Sequence, residues 1–186
     1  AEELSAHIRR RAEALSAAGV TPKLVLLRCG ENEADAAYIR GALKRAALCG
    51  VAAEVRTLPA DAPAGAVAAA IDQVNAGPAV HGCLLLRPLP PHLRREESAL
   101  CARLSPDKDV DGMTPDSAAA VYTGQGRGLA PCTAQACLEL LRFYHIDPAG
   151  KHAVVVGRSP VVGRPAAMLL LRENATVTVC HSKTPD

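Results

Sequence analysis

The chain has 186 residues, 21 Lys and Arg against 19 Asp and Glu, and 49% apolar residues. That apolar share with nearly balanced charge excludes a disordered chain, and a net charge of +2 offers no general attraction for nucleic acid or an anionic membrane. No apolar run approaches the roughly 20 residues that span a bilayer; runs such as Cys83–Leu86 and Met168–Leu171 are the size of core elements. Residues 1–18 space Leu4, Ile8 and Leu15 among Ala, Arg and Glu, which predicts a helix broken by Gly19 and Pro22. Residues 23–28 (KLVLLR) read as a short apolar strand, 30–34 as a turn, and 35–49 as an alanine-rich helix stopped by Gly50. Residues 51–58 alternate as a strand, 64–75 form a helix, and 80–86 (VHGCLLL) a buried strand. Arg87-Pro-Leu-Pro-Pro is a rigid loop, because proline continues neither a ladder nor a helix. A helix is expected over 94–104 and a loop rich in Asp and Gly over 106–115.

A second unit begins near Pro131. A helix over 133–144 starts at Cys132 or Thr133, a strand over 152–156 ends at Gly157, a helix covers 161–172 and a strand 175–180. Repeated β-α-β order implies parallel sheets with helices on both faces, an α/β fold. The expected arrangement is an N-terminal three-layer α/β domain over residues 1–130 and a Rossmann-type dinucleotide-binding domain over 131–186. The second unit holds one β-α-β, so it is expected to be a truncated copy of a larger domain.

Seven cysteines fall at 29, 49, 83, 101, 132, 137 and 180. They form no Cys-x-x-Cys and no Cys/His cluster at zinc spacing, so no metal is expected, and they read as buried free thiols in a reducing compartment. The first residues lack a basic start and apolar stretch, so a cytoplasmic protein is expected. One Phe, three Tyr and no Trp leave no stacking platform for single-stranded nucleic acid.

Three constellations can carry chemistry. Residues 152–165 run from a strand through Gly157-Arg158-Ser159 into a helix carrying Gly163. Gly157 permits a tight turn, Gly163 lets a phosphate or the strand come close, and a helix N-terminus offers N–H groups to a pyrophosphate. An ordinary strand–helix turn has the same pattern. The next strand ends at Ser182 and Lys183, where an acidic residue would favour a free ribose hydroxyl. Donors and positive charge, with Arg158 nearby, suit a 2′-phosphate; a solvated polar loop is the other reading. Lys108-Asp-Val-Asp-Gly holds Asp109 and Asp111 two residues apart. They can bind a metal, act as acid and base, hold a polar ring, or form an Asx-type turn before Gly112. Tyr38, in a chain poor in aromatics, is a core ring or a ligand-facing one.

Together these segments resemble one family. Residues 34–44 (ADAAYIRGALK), 82–90 (GCLLLRPLP), 106–112 (PDKDVDG), Pro131-Cys-Thr, 157–165 (GRSPVVGRP) and 178–184 (TVCHSKT) follow the order and spacing of the bifunctional methylenetetrahydrofolate dehydrogenase/methenyltetrahydrofolate cyclohydrolases. The resemblance covers nearly the whole chain. It implies that residues 1–130 are a folate-binding catalytic domain and 131–186 the first part of an NADP-binding Rossmann domain, with a folate cleft between them and a homodimeric assembly. It implies oxidation of 5,10-methylenetetrahydrofolate by NADP, then addition of water to give 10-formyltetrahydrofolate. Carried over by position, Tyr38 packs against the folate and Asp111 hydrogen-bonds its pterin ring. Leu85, Leu86 and Arg87 line the substrate, and Gly157, Arg158, Ser159, Gly163 and Ser182 hold NADP.

Two positions depart from the family pattern. The family's lysine one turn after the tyrosine is Ala42, and the glutamine that orients it is Leu86. Neither replacement can titrate, so the cyclohydrolase step is expected to suffer most. Lys44 matches a second, non-catalytic lysine and points away from Tyr38. The alternative is a catalytically degenerate member that serves as a ligand-binding or structural dimer. Ala134 and Ala136 replace a proline and a glycine of the pattern and are expected to alter a helix start.

Overall fold

The computed structural model describes residues 2–185, without the side chain of Ala34. Ala1, where the first helix was expected to start, lies outside the described residues. By its contacts the chain divides into two units, Ala1–Lys108 and Asp109–Asp186.

The first unit runs α1 (Glu2–Ala17), β1 (Lys23–Cys29), α2 (Glu33–Leu48), β2 (Ala52–Leu58), α3 (Ala64–Ala76), β3 (Gly82–Leu85), a 3-10 turn over Pro91–Leu93 and α4 (Glu97–Ala102). The strands form a parallel sheet in the order β2-β1-β3. Val25, Leu26 and Leu27 are consecutive and wholly buried. Successive strand residues face opposite ways, so both faces of the sheet are covered, as parallel sheets require. One face meets α2, where Ile39, Ala42 and Leu43 pack with Leu24, Leu26, Leu84 and Leu86. The α3 helix buries Val67, Ala70, Ile71 and Val74, the i, i+3, i+4, i+7 stripe of an amphipathic helix. Lys108 closes the end of α3. Its Nζ donates to the carbonyls of Val74 (2.7 Å), Asn75 (2.9 Å) and Gly77 (2.7 Å), adding to the N–H groups that Val74 and Gly77 already accept at the helix end. The expected helix over 94–104 is shorter, with α4 covering only Glu97–Ala102, and the 3-10 turn over Pro91–Leu93 precedes it.

The second unit runs α5 (Pro115–Thr123), α6 (Cys132–Phe143), β4 (His152–Val156), α7 (Gly163–Arg172) and β5 (Thr176–Cys180), with β4 and β5 paired in parallel. Its core joins Val121 of α5, Ala134 and Leu138 of α6, and Ala166 and Leu169 of α7. Ala134 is one of the two departures after Pro131-Cys-Thr, and here it fills the core. Residues 109–130, expected in the first domain, pack with the second unit, since Val121 belongs to that core. The α5 helix was absent from the predicted elements. Thr114 caps it by accepting from the Ser117 N–H, Pro115 opens its first turn, and Gly124 ends it in the left-handed region at φ 73°. Among the described residues no helix is long and apolar enough to cross a membrane.

Candidate functional site

In the second unit, the site grows from the carboxyl ends of two neighbouring strands. Val156 pairs with Cys180, and the Gly157 N–H donates to the Cys180 carbonyl at 2.8 Å, one step beyond the strands. Gly157-Arg158-Ser159 and His181-Ser182-Lys183 therefore leave the sheet side by side, at the edge where open α/β sheets bind ligands. The left-handed φ of Gly157, 125°, suits glycine alone, and a side chain there would meet nothing within 4 Å. That side of the turn is open. At Gly163 the situation is reversed. A Cβ would fall on the Gly157 carbonyl oxygen, 2.6 Å from the carbonyl carbon and 3.0 Å from the Arg158 nitrogen. The close approach that Gly163 permits is between the start of α7 and the strand's own turn.

Ser159 completes the turn. Its Oγ accepts from the N–H groups of Val162 (3.1 Å) and Gly163 (3.3 Å), and its carbonyl accepts from Arg164 (3.0 Å). Arg158, Ser159 and Ser182 are exposed. After β5, the His181 N–H donates to Thr184 Oγ1 (2.9 Å) and the Lys183 N–H to His181 Nδ1 (3.1 Å), which curls residues 181–184 into a turn. That turn carries Ser182 and Lys183 and no carboxylate. An open glycine turn, a helix N-terminus, Arg158 and Lys183 fit a dinucleotide bearing a 2′-phosphate.

The loop 109–114 separates the roles of its two carboxylates. Asp109 is 0% exposed. Its Oδ2 accepts from the Thr114 N–H (2.8 Å) and the Ser117 hydroxyl (2.7 Å), and its Oδ1 from the Met113 N–H (3.1 Å). Burial alone pushes this carboxyl up, but donation from Ser117, Thr114 and Met113 outweighs it and holds the group below the ordinary carboxylate range. Asp109 thus ties the loop, the turn-like reading, whereas Asp111 is only half-buried. Gly112 has φ 65°, and a Cβ there would lie 2.6 Å from both the Leu129 oxygen and the Pro131 nitrogen. The Cys132 thiol donates to the Val110 carbonyl at 3.2 Å. Burial pushes that thiol up, and the negative Asp111 and Asp109 add to the effect, so it stays protonated. A mainly apolar cavity of about 220 Å³ is lined by Gly112, Tyr122, Pro131, Pro160, Arg164 and Met168. It brings the Asp111 loop and the Ser159 turn to one place within the second unit.

The first unit holds the remaining candidates. Asn32 caps α2 by accepting from the Asp35 N–H at 2.7 Å. Tyr38 is 57% exposed, so it is not a core ring. Ala42, one turn later on the same face, packs in the apolar cluster that contains Leu26, Ile39 and Leu86. Leu86 is 8% exposed, and its N–H extends the sheet by donating to the Leu27 carbonyl at 2.9 Å. Leu85, at 2% exposure, offers a ligand almost no surface. The half-buried Arg87 follows and is joined to Pro88 by a cis bond.

All seven cysteines are free. They are not all buried: Cys132 and Cys137 are exposed on the first turns of α6, because the buried stripe of that helix is Ala134 and Leu138. Among the described residues no group of three or more His, Cys, Asp or Glu can hold a metal. The sequence reading missed Thr114, Ser117 and Cys132 as anchors of the Asp loop, and Tyr122 and Met168 beside it. Thr114-Pro115, a cap followed by a helix-starting proline, was the available signal.

The family model for the tetrahydrofolate dehydrogenase/cyclohydrolase catalytic domain matches residues 1–111, and the model for the NAD(P)-binding domain of the same family matches 131–186. The bifunctional protein FolD of Alkaliphilus oremlandii is 42% identical over all of this chain, which spans 65% of that relative. A crystal structure of the bifunctional FolD methylenetetrahydrofolate dehydrogenase/cyclohydrolase from Campylobacter jejuni superposes with a TM-score of 0.94 at 33% identity, covering 100% of this chain and 65% of that one. The Trypanosoma brucei enzyme, solved with NADP cofactor and an inhibitor, superposes with a TM-score of 0.88 at 33% identity over 99% of this chain and 62% of that one.

Proposed function

Because the chain belongs to the tetrahydrofolate dehydrogenase/cyclohydrolase family, we propose that it acts in one-carbon metabolism as an NADP-dependent dehydrogenase of 5,10-methylenetetrahydrofolate whose cyclohydrolase step is lost or much weakened. One observation carries the division: Ala42 and Leu86 share an apolar cluster, while in the second unit the turn at Gly157 is open and Gly163 packs against it.

Oxidation removes a hydride from the methylene carbon between N5 and N10 of the substrate and leaves a methenyl cation. NADP, when bound, supplies the hydride acceptor. No proton moves in this step, so the protein contributes position and exclusion of water. The open side of Gly157 accommodates the pyrophosphate beside the N-terminus of α7. Arg158, Ser182 and Lys183 supply charge and donors for the 2′-phosphate, and Gly163 keeps the helix start against the turn. Tyr38 contributes a ring and Asp111 a carboxylate to folate recognition, with Leu86 and Arg87 at the strand end that Leu85 anchors.

Hydrolysis of the methenyl cation makes a different demand. Water attacking the methenyl carbon must give up a proton, and efficient general-base catalysis needs a group whose pKa lies near the working pH. The methyl of Ala42 and the isobutyl of Leu86 hold no proton. Arg87 does not replace them, because a guanidinium is not a general base. Lys44 is exposed on another face of α2. A homodimer in the cytoplasm belongs to the same proposal, and light scattering of the pure protein tests the dimer.

The test follows NADPH formation from 5,10-methylenetetrahydrofolate while monitoring methenyltetrahydrofolate by its own absorbance. NADPH with a persisting methenyl product supports the reading. Methenyl consumption at the pace of NADPH formation contradicts the loss of hydrolysis. No NADPH from folded protein favours the degenerate, ligand-binding alternative, for which the lost Ala42–Leu86 pair is the motive.

A further inference from the structure

The turn that follows β5 is closed through one side chain. The Lys183 N–H donates to His181 Nδ1 at 3.1 Å, a bond from one residue back to the side chain two positions before it. The His181 N–H donates to Thr184 Oγ1 (2.9 Å), and the His181 carbonyl accepts from the Thr184 N–H (2.8 Å). Three bonds of the turn thus run through His181. A backbone N–H has only a proton to give, so Nδ1 must carry none.

The place of the turn is set by the sheet. Cys180 pairs with Val156, and its carbonyl accepts from the Gly157 N–H, so His181 is the first residue past that bond, next to the turn that carries Arg158. His181 is half-buried, whereas Ser182 and Lys183 are exposed. A turn ordered beforehand removes an ordering cost from ligand binding.

The type of side chain decides what the turn favours. Asn and Asp are the residues that ordinarily bond their own backbone two positions on. An aspartate at 181 would close the same turn, but it would put a negative charge at the end of the second strand, where an acidic residue recognises a free ribose hydroxyl. The imidazole nitrogen closes the turn without that charge. We propose that His181 is a positioning residue that sets the preference for NADP over NAD: its unprotonated Nδ1 closes the turn that presents Ser182 and Lys183 to the 2′-phosphate and keeps a carboxylate out of that place. This rests on the reading of that turn as a 2′-phosphate contact proposed above.

The experiment compares NADP and NAD affinities by titration calorimetry on the full chain, so that turnover is not needed. His181→Ala is expected to weaken NADP binding about fivefold, the scale of one lost hydrogen bond, with NAD within about twofold of wild type. His181→Asn, whose Oδ1 accepts the same bond, is expected to keep NADP affinity within about twofold of wild type. His181→Asp is expected to weaken NADP more than His181→Ala does. In a Ser182→Ala/Lys183→Ala background, His181→Ala is expected to cost NADP affinity nothing further. Equal losses of NADP and NAD in His181→Ala overturn the proposal, since general loosening of the unit acts that way. It is equally overturned by wild-type NADP affinity in His181→Ala or His181→Asp, by His181→Asn binding no better than His181→Ala, or by a full further loss in the Ser182→Ala/Lys183→Ala background. If His181→Ala does not fold, Thr184→Ala carries the same comparison, and Thr184→Ser, which keeps the hydroxyl, is expected to bind as wild type. A folded Thr184→Ala with wild-type NADP affinity overturns the proposal. Wild type that prefers neither nucleotide refutes the 2′-phosphate reading and this proposal with it. Wild type that prefers NADP, with His181 variants as expected, but forms no NADPH from 5,10-methylenetetrahydrofolate refutes the dehydrogenase reading and leaves this one standing.

Discussion

Restoring the two missing polar groups tests the split between oxidation and hydrolysis from the opposite direction. Leu86 is 8% exposed and packs with Leu26, Ile39 and Ala42. Leu86→Gln removes an apolar side chain whose full burial is worth about 1.5–3 kcal/mol and leaves an amide short of partners at about 1–3 kcal/mol, a single-variant loss of about 3–5 kcal/mol. Ala42 is half-buried, so a lysine there can run its stem over the cluster and lift its head toward water at a cost of about 1 kcal/mol. In the double variant the ammonium reaches the amide oxygen, and a hydrogen bond to a charged group recovers about 1–2 kcal/mol. Urea unfolding of wild type, both single variants and the double variant gives the coupling. A methenyltetrahydrofolate decay assay then reads hydrolysis. The double variant is expected to be more stable than the sum of the singles allows, and to hydrolyse faster than either. Additive losses of stability, or a wild type that already hydrolyses as fast as the double variant, would refute the reasoning.

Three further outcomes are expected. Gly163→Ala places a Cβ on the Gly157 carbonyl, where the obstacle is backbone and cannot swing aside; the helix start must shift, at about 1–3 kcal/mol by urea unfolding, with a clear loss of NADP affinity. An unchanged midpoint and affinity would contradict the close approach. Asp109 has its carboxyl depressed in the folded state, so its contribution to stability is present above the unfolded carboxylate value, about 4, and is lost as the pH falls through the lower folded value. Asp109→Asn is therefore expected to flatten the fall in urea midpoint below pH of about 4, although Glu54 and Asp72, also depressed, leave part of it in place; identical acid limbs would contradict the assignment. Lys108→Met leaves the Asn75 carbonyl without its partner and removes the ammonium from those of Val74 and Gly77, which keep the N–H groups of Gly77 and Val80; it is expected to cost about 1–3 kcal/mol in the same assay; a change of only a few tenths would show that water replaces the ammonium freely.

The parts of the fold legible in the sequence are those where one pattern dominates locally. Residues 23–29 and 52–58 are short runs between turns, and both are strands with the expected bounds to within a residue or two. Gly157 and Gly163 marked a strand–turn–helix, but which group comes close to Gly163 depends on how α7 is set against its own turn. The α5 helix escaped because its stretch, PDSAAAVYT, is short and weakly amphipathic and follows a loop rich in Asp and Gly. Its cap, Thr114, looked like part of that loop. The division of labour between Asp109 and Asp111 was open for the same reason: two carboxylates two residues apart are alike in sequence, and only burial against Thr114 and Ser117 distinguishes them. The pairing of Ala42 with Leu86 was inferred from the family resemblance. Their membership of one cluster comes from α2 lying across the face of the sheet that carries Leu26 and Leu86.

The most direct measurement is the time course of both products on the intact, folded protein supplied with 5,10-methylenetetrahydrofolate and NADP. The account predicts NADPH formation accompanied by methenyltetrahydrofolate that decays no faster with the protein than in buffer. Methenyltetrahydrofolate that vanishes as quickly as NADPH appears would contradict it, because it would place a working base where Ala42 and Leu86 leave none.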